Sequence, residues 1–288
     1  MKKVNKILMA TVAILLSLVL ISTCLVSGTL AKFAIIKDAT TEVSFKKFGV
    51  KLSVGREAQV IDGPDVNSVS ITYDDFEMYP GVDKTPAIWF AFDNGKLSVD
   101  ATVTIKVYVE LSDKFIIPAD DKDGNDILDF SGFTTSSKYK TGQTYMPLDF
   151  KIIEIDAKGS PFGSPYNYSA SMYSYDNIDA LENALEKGIA KQIYHIAGGA
   201  ESTGSDTNGT YSYITKSFKK DNQIKFLNTS GIGIGFCWEE GSEYDSTKPD
   251  NIAQNALSTW IANQFTDPNE KPIKITLAIS LEQKIETT

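Results

Sequence analysis

Val99-Asp100-Ala101-Thr102-Val103-Thr104-Ile105-Lys106-Val107-Tyr108-Val109-Glu110-Leu111 alternates without a break. Odd positions are apolar; even positions are mostly polar or charged. A period of two marks a strand with one face in a core and the other toward water. The chain closes on a second run of this kind, with Ile273, Ile275, Leu277, Ile279 and Leu281 separated by Lys274, Thr276, Ala278 and Ser280. Phe48, Val50, Leu52 and Val54 repeat it near the start. Shorter strand candidates are 69–73, 87–92, 148–155 and 232–238. Asn94-Gly95 lies between two of these runs, and its preference for positive φ predicts a β-hairpin there.

Two helices interrupt the strands. Asp176 or Asn177 can cap one that carries Ile178, Leu181, Leu185 and Ile189 on a single face. Pro249-Asp250 opens a second, with Ile252, Ala253, Ala256, Leu257, Trp260 and Ile261 at helical spacing. Polar, Gly-containing stretches at 119–142 and 198–209 read as loops. No repeat and no composition break divides the rest. The predicted class is all-β, an antiparallel β-sandwich with two helical insertions.

Composition narrows the function. The chain has 288 residues, 28 Lys and Arg against 37 Asp and Glu, and 42% hydrophobic residues. The apolar content suffices for a core. A net charge of -9 argues against nucleic acid, which needs a basic surface. One His and two Cys exclude a multi-Cys/His zinc site and a disulfide-dense scaffold. Any Ser-His-Asp or Cys-His catalysis would rest on His195 alone.

The amino end reads as an export signal, residues 1–31. Lys2, Lys3 and Lys6 form a basic start, and residues 7–26 are uncharged and apolar. Thr29-Leu30-Ala31 puts small residues at -3 and -1, so cleavage is expected between Ala31 and Lys32. The apolar run also reaches the ~20 residues that span a bilayer, so a retained anchor is the alternative. Thr23 before Cys24 makes a poor lipidation motif. Cleavage removes three Lys and no acid, which takes the net charge from -9 to -12. It leaves Cys237 as the only thiol, in an apolar strand where a buried, inert role is expected.

Residues 32–44 stand apart as an N-terminal strand and linker before a domain at 45–288. Lys32-Phe33-Ala34-Ile35-Ile36-Lys37 is apolar on both faces and so calls for burial on both sides. Two readings are open. It is an ordinary first strand, or it is a strand donated to a neighbouring subunit, where main-chain hydrogen bonds supply affinity.

The leader ending Ser27-Gly28-Thr29-Leu30-Ala31-Lys32-Phe33, followed by Phe48-Gly49-Val50, resembles those of TasA- and camelysin-like proteins of Gram-positive bacteria, which the signal peptidase SipW processes. Met78-Tyr79-Pro80-Gly81-Val82-Asp83-Lys84, then Ile88, Phe90, Phe92, Asn94-Gly95, Leu97 and Val103, is similar to a stretch of TasA. Val82 is an insertion in that pattern, and Asn94-Gly95 lacks its spacer. Phe236-Cys237-Trp238-Glu239-Glu240 and the final strand resemble the family's tail. Residues 112–228 show no match. The resemblance implies a jelly-roll sandwich, secreted to the extracellular matrix or cell surface. It implies a non-enzymatic subunit of biofilm-matrix or surface fibres. Phe33, Ala34, Ile35 and Ile36 would then be the donor strand of a head-to-tail homopolymer. Signal peptidase is the partner during export, and other matrix proteins or glycans are candidate partners. The alternatives are a monomeric adhesin and a camelysin-like protease.

Candidate sites are few. A zincin needs two His and a Glu on one helix, and His195 is alone. No cofactor is expected. Asp120-Asp121-Lys122-Asp123-Gly124-Asn125-Asp126 resembles a calcium loop, with Asp121 and Asp123 as candidate ligands, but two key carboxylate positions are filled by Ala119 and Phe130. A solvated acidic turn is the preferred reading. Gly231, Gly233 and Gly235 alternate in a strand, which permits close approach of another backbone or a ring and suits an acceptor groove for a donated strand. Tyr166, Tyr168, Tyr173 and Tyr175 could meet a glycan, though a loop packed by its own rings is preferred.

Overall fold

The computed structural model describes residues 40–45, 47–55, 58–60, 68–76, 78–79, 81–117, 142–170, 174–207, 209–238, 249–265, 267 and 270–284. Within them the order is β1 (Thr40–Phe45), β2 (Val50–Gly55), β3 (Ala58–Val60), β4 (Ser68–Tyr73), β5 (Asp83–Phe92), β6 (Ala101–Leu111), a 3₁₀ turn (Asp113–Phe115), β7 (Thr144–Tyr145), β8 (Asp149–Ile155), β9 (Pro161–Tyr168), β10 (Ser174–Tyr175), α1 (Ile178–Ala197), β11 (Ala200–Asp206), β12 (Gly209–Phe218), β13 (Gly231–Cys237), α2 (Pro249–Gln264) and β14 (Ile273–Gln283). The first sheet runs β1-β2-β5-β13-β8-β9 and the second β11-β12-β6-β14-β4-β3. Every pairing is antiparallel.

Eight strands form a jelly roll. β4 pairs with β14, β5 with β13, β6 with β12 and β8 with β9. The chain is thus a long antiparallel ribbon rolled so that successive rungs fall in alternate sheets. The periodicity of two explains the rolling. On β6 from Ala101 to Val109 and on β14 from Ile273 to Leu281 the odd-numbered residues are buried and the even ones partly exposed, apart from Tyr108, which is also buried. On β5 and β13 it is Ile88, Phe90, Phe92, Ile232, Ile234 and Phe236 that turn inward. Two apolar faces of this kind are buried only by facing each other. Tyr73, Phe76, Phe150 and Phe236 fill one end, with Phe76 and Phe236 rings 4.5 Å apart. Phe90, Phe92, Phe218 and Phe226 fill the other.

Three expectations change. Asn94-Gly95 makes no hairpin, because β5 and β6 lie in different sheets. Neither residue has a positive φ. Asp93 Oδ1 instead accepts from Gly95 N at 3.0 Å and Lys51 N at 3.1 Å, holding a crossover. Both flanking strands have a core face, and the crossover lets one cover the other. Residues 198–209, read as a loop, hold β11, which pairs with β12 from Ala200↔Thr215 to Asp206↔Gly209. Residues 40–44, assigned to a linker, form an edge strand on β2, and the compact unit begins at Thr40.

The glycines of β13 also find their place. β13 is central, paired with β5 on one side and β8 on the other. A Cβ on Gly231 would lie 2.1 Å from the Phe90 carbonyl oxygen, and one on Gly235 would lie 2.3 Å from that of Lys84. The close approach anticipated for another backbone is that of β5, in the same chain. Both edges of β13 are taken, so no donated strand can pair beside Gly231, Gly233 or Gly235.

That crowding is testable. Gly231→Ala drives a methyl into the β5 backbone, and overpacking of this kind costs about 1–3 kcal/mol. A thermal melt should fall by roughly 3–10 °C for a domain of this size. Melting within about 1 °C of the wild type would show instead that β5 yields freely.

Candidate functional site

An open sheet ends in unpaired backbone groups, and the four ends of the two six-stranded sheets differ in protection. On β9, Pro161 and Pro165 have no N–H, Gly163 has φ 75°, and the register with β8 slips between Ile152 and Glu154. β3 is three residues long. β1 has six residues and continues from the N-terminal segment. β11 has seven, Ala-Glu-Ser-Thr-Gly-Ser-Asp, with no proline and an unbroken register. Its other side pairs with no strand among the described residues.

α1 decides what faces that edge. Asn177 starts it, its side chain accepting from Ala180 N at 2.8 Å, and Asn177 is one of the two caps anticipated. Leu181, Leu185, Ile189, Ile193 and Ile196 are buried on one stripe, worth about 1.5–3 kcal/mol each. They pack the helix between the sheets where these diverge.

Two carboxylates lie beside that stripe. The pairing of β12 with β6 stops at Ser212↔Val107, leaving the later N–H groups of β6 without a strand on that side. Glu186 Oε1 accepts from Val109 N at 3.3 Å, and Glu182 Oε1 accepts from Leu111 N at 2.8 Å. One helical turn of side chains thus substitutes for the missing strand. Thr210 Oγ1 donates to Glu186 Oε2 at 3.4 Å from the departing end of β12. At the other end of α1, Lys216 Nζ donates to the Ala197 carbonyl at 2.6 Å, a cation on the negative helix terminus.

The helix face turned away from the core floors a groove of about 520 Å³. Ala184, Lys187, Gly188 and Lys191 make the floor, Tyr168 of β9 one wall and residues 201–203 of β11 the other. Gly188 is small because the Tyr168 ring lies on it, within 2.4 Å of where a Cβ would stand. The groove is therefore the gap between one edge of each sheet. Asp206 ties down the far end of β11, accepting from Tyr108 Oη at 2.7 Å and Lys106 Nζ at 3.1 Å.

Ala31, Lys32, Phe33, Ala34, Ile35, Ile36, Asp121, Asp123 and Tyr173 lie outside the described residues. Tyr168 and Tyr175 pack against the core, their hydroxyls 3.4 Å apart. Tyr166 stacks on the exposed His195 ring at 6.3 Å. Cys237 is buried and unbridged. Among the described residues no group of three or more His, Cys, Asp or Glu could hold a metal ion, and no helix is long and apolar enough to cross a membrane. Glu182, Glu186, Lys216 and β11 were not singled out from the sequence. The signal for β11 was present, since Asn208-Gly209 precedes an alternating run at 210–218. For the two Glu there was none, because Glu186 becomes buried and Glu182 half-buried only where β12 leaves β6. No protein-family model and no curated protein matches the chain.

Burial pushes the Glu186 carboxyl up to about 7, against the pull of the Val109 N–H and Thr210, with Glu182 adding to the rise and Lys187 opposing it. Burial raises Glu182 too, against the pull of the Leu111 N–H. A carboxyl raised on folding stabilises fully below its unfolded value, and that contribution is lost as pH rises through about 7. Asp100 and Asp156, drawn down by hydrogen bonds from Lys219 and from the Ser160 N–H, titrate below this window. Stability should fall by up to about 3 kcal/mol between pH ~5 and ~8.5. Glu186→Gln, neutral throughout, should flatten most of that slope in denaturant melts. An unchanged slope would show that Glu186 is not its source.

Proposed function

We propose that the chain is a secreted, non-enzymatic structural subunit of matrix or cell-surface fibres. Subunits join head to tail, the segment around Phe33–Ile36 of one copy adding as a strand to the next. The leader is removed on export, which frees that segment. This reading joins the leader-like amino end and the resemblance to TasA-type proteins with one structural observation. The sheet edges are unequally protected: β9 carries prolines and β3 is short, whereas β11 is long, regular and bordered by a groove. An exposed regular edge is a template for another strand. β1, into which the N-terminal segment leads, lies at the opposite end of the first sheet from β9. A donor on one side and an acceptor on the other make a contact that repeats without closing.

A second reading rests on the exposed rings of Phe162, Tyr166 and Tyr194. Tyr166 and Tyr194 flank the exposed His195 ring, and a monomeric surface-binding module would use such rings against glycan.

Purified chain from Lys32 onward should sediment as polymer and form filaments under the electron microscope. Deletion of residues 32–39, which spares β1, should leave folded monomers. A wild-type chain that stays monomeric at high concentration overturns the fibre reading. A deletion variant that elongates normally overturns the role of the N-terminal segment. A monomer that binds polysaccharide, and loses binding on Tyr166→Ala, supports the second reading.

A further inference from the structure

We infer that the groove between β9 and β11 is a binding site for acidic oligosaccharide, in which Lys187 and Lys191 of α1 take the carboxylate of a sugar acid. The inference goes beyond both readings above, since it needs neither polymerisation nor the exposed rings of the second reading.

The helix brings the two bases together. Ala184, Lys187, Gly188 and Lys191 follow the spacing i, i+3, i+4 and i+7, so they form one stripe of α1, and all four line the groove. Side chains four residues apart on a helix start about 5–6 Å from each other. Two flexible ammonium groups so placed can converge on one carboxylate. Without an anion they repel, and like charges at this spacing destabilise a helix.

Elsewhere the protein pairs its lysines. Lys114 meets Glu270 at 2.6 Å, Lys151 meets Asp83 at 2.7 Å and Lys219 meets Asp100 at 2.8 Å. Acids are in excess, 37 against 28 bases. Yet Lys187 and Lys191 are exposed and make no ion pair among the described residues. Glu186, on which Lys187 exerts a pull, is buried and engaged with Val109 and Thr210. Neither base serves the end of the helix, whose field is confined to the last turn and is met by Lys216 at the Ala197 carbonyl.

The other lining residues suit a sugar. The Tyr168 ring is fixed, lying on Gly188 with its hydroxyl 3.4 Å from that of Tyr175, and it gives one wall an apolar surface for a sugar ring. On the opposite wall Ser202 and Thr203 carry hydroxyls, and Glu201 can accept from sugar hydroxyls. Glu201 and the net charge of -9 oppose a closely charged chain such as polyphosphate, whereas a sugar acid sets each carboxylate among neutral hydroxyls. The volume of about 520 Å³ falls within the range of small-ligand clefts.

The test is calorimetric titration of the mature chain with short oligogalacturonate at neutral pH and low ionic strength. One saturable site per chain is expected, weakening as salt rises. The methyl ester, the same sugar chain without its charges, should bind at least about tenfold more weakly. Lys187→Gln and Lys191→Gln should each weaken binding about fivefold. Lys47→Gln removes the same charge from the turn between β1 and β2, at the other end of the first sheet from β9, and should change nothing. All three lysines are exposed, and thermal melts identify any variant that fails to fold. No saturable binding at about 1 mM oligogalacturonate overturns the site. Equal binding of the ester overturns the role of the carboxylate. A loss with Lys47→Gln as large as with Lys187→Gln overturns the location. Tighter binding of short inorganic polyphosphate overturns the sugar as ligand. Filament assembly, read separately, decides the fibre reading and not this one.

Discussion

Every backbone N–H and C=O in a sheet needs a partner, and an open sheet always leaves two rows without one. This requirement organises the molecule. In the middle of each sheet it is met by the rolled ribbon, β13 between β5 and β8 and β14 between β4 and β6. At the margins it is met unevenly. β9 lessens it by removing donors with proline, and the outer side of β11 pairs with no strand among the described residues.

Where β12 departs from β6 the same demand arises within the protein, buried at Val109 and half-buried at Leu111. Glu182 and Glu186 answer it from α1. A buried carboxylate costs several kcal/mol unless hydrogen bonds or protonation relieve it. Here both operate: the N–H groups hold the ionised form, while burial raises the carboxyl toward neutral pH. The helix is thereby bound to the second sheet by polar contacts as well as its leucine stripe, and Lys216 fixes its last turn. A helix so held is a rigid floor, and a rigid floor is what gives the β9–β11 gap a defined shape.

The periodic segments were legible because periodicity is local. The run read from Val99 stands as a strand from Ala101 to Leu111, and Ile273–Leu281 and the helix after Asn177 stand with their inward residues as read. The misreadings share a cause. Asn94-Gly95 has the residues of a hairpin turn, yet its flanking strands satisfy their core faces better across the sandwich than side by side. The glycines of β13 signal close approach correctly but do not say whose backbone approaches. Residues 198–209 are small and polar because they form an exposed edge, a composition that a loop shares.

The sequence by itself determined the class of the fold, the strands and helices that build it and the side of each that turns inward. Those follow from residue spacing along the chain. The tertiary structure decided which strands are neighbours, which strands stand at the sheet margins and that Glu186 is buried. These depend on where strands distant in sequence meet and part, as β12 parts from β6 after Val107. A glutamate on a helix surface and a glutamate closing a sheet look alike in sequence, because the difference is made by backbone some seventy residues away, as with Glu186 and Val109.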